Sequence, residues 1–323
     1  MRPGELTHKN LLNMSNYGHS ILVTGGDGVI GTALVAELRR RGHKVWVAEP
    51  YHTNHPMHLR CDVGDFQQVE DIFKKHAFDY VYHLAAEFGR KNGEEFYSAL
   101  WRTNASGTKH ILRMQEKYRF RLIFPSSSEV YGTNLTGVLT EEAPQQVAVR
   151  LGNDYAISKW VNEMQIMNSM DQYGTETVRF RFSNVYGPGE YYSDYRSAIC
   201  LFVYRALHNM PYTVYTNSGR AFIYIRDAIE CVANICENFV SGEVYNIANR
   251  DLVGMKEVSD KILQLVGVDD RLVSYVENDA TATTSKCLDC TKATRDLGLR
   301  QTVTLDAGLA LTVEWFKKTY GII

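Results

Sequence analysis

The chain has 323 residues, 45% of them hydrophobic and 22% charged, the balance of an ordinary globular protein with a large core, which excludes disordered and collagen-like classes. Its 35 Lys and Arg stand against 37 Asp and Glu, so the formal charge of -2 gives no electrostatic reason to expect nucleic acid or an anionic membrane as partner. No apolar run reaches the roughly 20 residues that a membrane-spanning helix needs, and a small-molecule substrate is the default expectation.

Residues 1–19 lack the continuous apolar stretch of a secretory signal and read as a leader before the fold. Alternation begins at Ser20. Residues 20–24 (SILVT) are an apolar run of buried-strand type, followed by a glycine-rich turn and a helix over 32–41, where Leu34, Val35 and Leu38 share one face and Gly42 suits the C-terminal cap. A strand follows at 44–48, a helix at 66–76, a strand at 80–84, a long helix at 95–118 and a strand at 121–124. Short apolar strands separated by helices predict an α/β fold with a doubly wound, parallel, Rossmann-type sheet. After Gly132 come a long loop, a helix over 155–172 and a strand over 177–182. A smaller C-terminal α/β lobe for substrate is expected over 186–323, with helices at 197–208, 227–238 and 306–319 and a strand at 244–247. The larger, N-terminal domain is then 20–185.

The turn Thr24-Gly25-Gly26-Asp27-Gly28-Val29-Ile30-Gly31 spaces its glycines as G-x-x-G-x-x-G between the first strand and the first helix. Gly25 and Gly28 permit a tight turn and close backbone approach to a pyrophosphate, Gly31 permits helix–strand packing, and the helix N-terminus offers unpaired N–H groups. Glu49, 18 residues beyond Gly31 at the end of the second strand, suits the ribose hydroxyls and repels a 2′-phosphate, so NAD is expected over NADP. Asp62, in Cys61-Asp62-Val63, has two readings: an acceptor for the adenine amino group, or the N-cap of the next helix.

Six cysteines, at 61, 200, 231, 236, 287 and 290, are too sparse for a disulfide framework and point to a reducing, cytoplasmic compartment. Cys287 and Cys290 have zinc-like spacing, but a structural zinc needs four ligands, and Cys231 and Cys236 lie in an apolar helical run. His52, His55 and His58 sit in a stretch with Pro and Asn and read as a solvated loop. No metal is expected.

Tyr155 and Lys159 stand at helical i,i+4 spacing and share one face. An ammonium beside a tyrosine, with the positive nicotinamide, favours phenolate, so Lys159 is expected to activate Tyr155 as a base. A serine from Ser126-Ser127-Ser128-Glu129-Val130-Tyr131-Gly132, at the end of the preceding strand, can bond the same substrate hydroxyl and relay its proton.

With these motifs the sequence resembles the extended short-chain dehydrogenase/reductase family, specifically its NAD-dependent nucleotide-sugar epimerases, dehydratases and decarboxylases. The resemblance extends through Tyr82-His83-Leu84-Ala85-Ala86, Thr103-Asn104, Gly107-Thr108, Arg181 to Pro188, Arg220-Ala221-Phe222 with Asp227, Tyr245-Asn246-Ile247 and the closing segment. It implies Ser127 as proton relay, Tyr155 as base and Lys159 as its partner. It also implies Gly25, Gly28, Val29, Ile30, Gly31, Glu49, Asp62, Val63, Leu84, Ala85, Ala86 and Asn104 around the cofactor, with Ser127, Ser128, Asn184 and Arg220 on a nucleotide-sugar substrate. Family members commonly dimerise through two helices per subunit, here 95–118 and 155–172.

In such enzymes the tyrosine takes a sugar hydroxyl proton, usually at O4, while hydride leaves C4, and the cofactor is regenerated within the turnover. Glu129 decides the net reaction. The 4,6-dehydratases and UDP-glucuronate decarboxylases carry a Glu there, simple 4-epimerases usually lack it, and the run from Phe124 to Gly132 looks most like the decarboxylases. Two departures stand against that match: Gly152 replaces the decarboxylases' Arg, leaving Arg150 as the nearest cation, and no Arg-Pro-Gly-Asp stretch appears at 278–284. Net epimerisation is therefore the leading expectation by a small margin, with dehydration or decarboxylation through Glu129 as the alternative. A net keto-sugar reductase and a non-catalytic NAD-binding protein are further alternatives, and Glu129 as a carboxylate satisfied by backbone N–H groups is the plain structural one.

Overall fold

The computed structural model describes residues 18–277 and 286–322. Most of the expected leader and the 278–284 stretch lie outside the described residues. Strands β1 (Ser20–Thr24), β2 (Lys44–Glu49), β3 (His58–Arg60), β4 (Tyr80–His83) and β5 (Arg121–Ser127) join Thr177–Phe182 and Val244–Ile247 in one seven-stranded sheet. The order across it is Val244–Ile247, Thr177–Phe182, β5, β4, β1, β2, β3, and every pairing is parallel.

The alternating strand period builds two cores. Ile21 and Val23 of β1 face one side, against Leu34, Val35 and Leu38 of the first helix, Val29–Arg40. Leu22 faces the other, with Val69, Ile72 and Phe73 of the helix Phe66–Lys75 and Ile111 and Leu112 of Gly107–Tyr118. A sheet covered on both faces needs continuous apolar strands, which is why SILVT carries no polar alternation. The chain leaves β1 towards β2 on one side and returns to β4 on the other, and the crevice beyond the strand ends at that switch point is where such sheets take ligands.

Four expectations need correction. The strand Val244–Ile247 belongs to the main sheet, paired with Thr177–Phe182, and not to the C-terminal lobe. Residue 58 opens β3 beside β2, so His58 is part of the sheet edge and not of a solvated loop. The helix expected over 95–118 is broken into Arg90–Glu95, Tyr97–Leu100, a π-helical turn Trp101–Ser106 and Gly107–Tyr118. The π turn carries the buried Asn104, whose side chain is engaged below; such turns concentrate at functional sites. The helix expected at 227–238 runs Ile225–Ala233.

Beyond Phe182 the elements are short. Gly219–Tyr224 pairs in parallel with Asn184–Tyr186 and antiparallel with Leu252–Gly254, and the helices Ala198–Leu207, Met255–Val266 and Leu305–Tyr320 pack nearby. Cys287–Leu288 pairs with Val138–Leu139, which brings a late segment of the chain to the end of β5. Among the described residues no helix is long and apolar enough to cross a membrane, and no group of three or more His, Cys, Asp or Glu is placed to hold a metal ion.

Candidate active site

A cavity of about 1020 Å³ lies across the C-terminal ends of the strands. Its floor is the glycine turn. Gly25 has φ +71°, and a Cβ there would lie 2.6 Å from the Ala85 amide nitrogen; a Cβ on Gly31 would lie 2.1 Å from the Gly25 carbonyl oxygen. Side chains at either position would force turn, helix and β4 loop apart. Val29 opens the first helix with no side-chain cap at Gly28, so its leading N–H groups face a space suited to an anion. Val29, Ile30, Val63, Leu84, Ala85 and Ala86 supply apolar wall.

Glu49 ends β2 and accepts a hydrogen bond from the Asp27 N–H at 2.8 Å. Burial raises its pKa above the usual carboxylate range, and the nearby Asp27 charge adds to this against that hydrogen bond. Asp62 lines the cavity but is already engaged: its carboxylate pairs with Arg102 and accepts from the Gly64 N–H at 2.9 Å. It does not cap the following helix. Asp65 does so, accepting from the Gln67 and Gln68 N–H groups. Asn104 does not line the cavity. Its carboxamide accepts from the Glu87 N–H at 2.8 Å and donates to the Glu87 carbonyl and the Ser158 Oγ, each at 3.0 Å, so it ties the loop after β4 to the helix Asp154–Tyr173.

The expected catalytic side chains meet at the end of β5. The helix Asp154–Tyr173 is started by Asn153, whose side chain accepts from the Ala156 N–H at 2.8 Å, and this fixes Tyr155 and Lys159 over Ser127. Lys159 Nζ donates to the Pro125 carbonyl at 2.9 Å and lies 5.9 Å from the Tyr155 ring centroid. Burial lowers its pKa to about 8, opposed by Glu163. Burial also pushes the Tyr155 phenol up to about 12; its hydrogen bond with Ser127 works the other way and the Glu129 charge adds to the rise. The expected activation of Tyr155 by Lys159 is therefore not visible in the protein alone, where desolvation dominates both groups.

Among the described residues, the Glu129 carboxylate is met by side chains. Its Oε1 lies 3.6 Å from Lys286 Nζ, and Asn153 Nδ2 donates to its Oε2 at 3.5 Å. Lys286 is buried, donates to the Ser128 carbonyl at 3.1 Å, and has its pKa lowered by burial. Lys286 meets Glu129 directly and the Arg220 guanidinium also lies within reach of its charge, whereas Arg150 is exposed. Nothing local in the sequence singles it out; the pairing of Cys287–Leu288 with Val138–Leu139 delivers it. Asn184 lines the cavity and donates to the Ala221 carbonyl at 3.2 Å, on the strand that carries Arg220. Arg90 also lines it, a residue the sequence reading passed over, as do Arg196 and Phe88, the guanidinium lying over the ring at 4.7 Å from its centroid.

Residues 21–248 match the model of the NAD-dependent epimerase/dehydratase family. The chain belongs to that family. It is 29% identical over 317 residues to a UDP-N-acetyl-alpha-D-glucosaminuronate decarboxylase of Bacillus cytotoxicus, covering 92% of this chain and 97% of that one. It is 27% identical over 319 residues to a dTDP-glucose 4,6-dehydratase of Streptomyces niveus, covering 92% of both. The structure of a Thermus thermophilus UDP-glucose 4-epimerase in complex with NAD superposes with a TM-score of 0.82 at 26% identity, covering 94% of this chain and all of that one. NAD is the family's cofactor, and the side-chain-free cradle at Gly25 and Gly31 fits it.

Proposed function

We propose that the protein is a redox-neutral nucleotide-sugar lyase that decarboxylates a nucleotide-linked uronic acid through a 4-keto sugar. The observation that carries this reading is the Glu129–Lys286 pair beside Tyr155. NAD+, when bound, supplies the hydride acceptor for C4 and a positive charge beside the phenol. Tyr155 takes the O4 proton, Ser127 relays it, and Lys159 steadies the phenolate. A ketone at C4 turns the uronate into a β-keto acid: the C5–C6 bond breaks, carbon dioxide leaves, and the electron pair rests in an enolate. Lys286, paired with Glu129, returns a proton to C5, and Tyr155 returns one to O4 as hydride comes back.

Epimerisation, the leading expectation from sequence, is the second reading, and the same ion pair favours it if Lys286 does no more than neutralise Glu129. Incubation of the purified protein with nucleotide hexoses and nucleotide uronates, with products read by mass, tests the proposal. Loss of carbon dioxide from a uronate without net NADH is expected. Conversion of a hexose at unchanged mass, with the uronates untouched, contradicts it, and stoichiometric use of cofactor would indicate a reductase.

All six cysteines are free thiols, five of them buried, which supports a reducing, cytoplasmic setting. A homodimer is supported by exposed apolar side chains on the two expected helical regions, Tyr97 and Met164 among them. Sedimentation at a monomer's mass would contradict it.

A further inference from the structure

We propose that Asp27 is a second cofactor-selecting carboxylate, held beside Glu49 by Tyr51 and His58. Asp27 occupies a variable place inside the glycine turn, and nothing in the backbone chemistry of that turn calls for an acid there. Its carboxylate is nevertheless built into position. Tyr51 donates to Oδ2 at 3.1 Å, and His58 Nε2 lies 3.1 Å from the same oxygen. The His58 side chain is only 5% exposed, and its Nδ1 has no partner among the described residues, so the contact with Asp27 is what orients the ring. The Tyr51 and His58 rings lean together, with centroids 5.8 Å apart.

Asp27, Glu49 and Tyr51 all line the cavity, and the Asp27 N–H bonds the Glu49 carboxylate, so two acids stand at the same end of the nucleotide site. One acid is enough to accept from a ribose hydroxyl. Two like charges, one locked by a strand-edge histidine and a tyrosine, raise the cost of bringing a phosphate dianion to that spot. The inference rests on Glu49 standing at the adenosine ribose, and the test separates the two.

Dissociation constants for NAD and NADP are measured by calorimetry on the full chain, freed of carried-over cofactor, for the wild type, Asp27→Asn, Glu49→Gln and the double variant. Asp27→Asn is expected to move the NADP/NAD ratio roughly ten-fold towards NADP, and the double variant to move it further than either single one. An unmoved ratio in Asp27→Asn, or a melting temperature that falls while both affinities drop equally, overturns the inference and leaves Asp27 as a tie between the turn and β3. A ratio that responds to Asp27→Asn but not to Glu49→Gln sinks the Glu49 assignment alone. Should Asp27→Asn fail to fold, Tyr51→Phe removes one orienting bond: a ratio shifted towards NADP supports the inference, and an unshifted one overturns it.

Discussion

Tyr155→Phe is expected to lower turnover by roughly a hundred- to ten-thousand-fold while NAD affinity stays within about two-fold of the wild type. The ring packs among the same neighbours and only the oxygen is removed, so Lys159 keeps its bond to the Pro125 carbonyl and the glycine cradle is untouched. What is lost, on the proposed mechanism, is the group that takes the O4 proton. In the protein alone burial holds that phenol up to about 12, so a working base near neutral pH requires the stabilisation that Lys159 and the bound dinucleotide bring. Single-turnover absorbance should then show no NADH with the variant, even at saturating substrate. Near-normal turnover in Tyr155→Phe would remove this residue from the chemistry.

Glu163→Ala is expected to be the most destabilising single change near the site. Glu163 is fully buried, and its carboxylate receives Arg181 at 2.9 and 2.8 Å, Arg179 at 3.4 Å and the Ser126 hydroxyl at 2.5 Å. Arg181 is itself fully buried and also donates to Tyr131 and to the Glu141 carbonyl. Removing the acid strands two guanidinium groups without their counter-charge, at a cost of about 3–5 kcal/mol, and the melting temperature should fall on the order of 10 °C. Glu163→Gln separates charge from packing. Glu163 favours the protonated form of Lys159, whose pKa burial lowers to about 8, so the glutamine variant should lose activity at a lower pH on the alkaline side than the wild type. A thermal shift of only a degree or two in Glu163→Ala would show that the network contributes little.

The sheet was readable because both its faces are covered: Ile21, Leu22 and Val23 must all be apolar, and the helices between strands keep their own period. The glycine turn and the Tyr155–Lys159 spacing were readable for a similar reason, since each is a local geometry written in contiguous residues. The rest depends on contacts between distant segments. Val244–Ile247 looks the same in either lobe until its pairing with Thr177–Phe182 is known. Asn104 resembles a ligand contact, yet the π turn aims it at the Glu87 backbone. Lys286 sits beside a two-residue strand that no periodicity could reveal, and Asp27 gains meaning only from Tyr51 and His58.

Glu129→Gln, mixed with a nucleotide uronate and followed by stopped-flow absorbance at the NADH band, tests the lyase reading most directly. The substitution keeps shape and hydrogen bonding but removes the charge that faces Lys286. The proposed mechanism expects oxidation at C4 through Tyr155 to survive while the later steps stall, so NADH should accumulate in the first turnover and steady-state release of carbon dioxide should fall by about a hundred-fold or more. Full turnover by Glu129→Gln without any build-up of NADH, on a hexose whose mass does not change, would contradict the account and return Glu129 to a structural carboxylate.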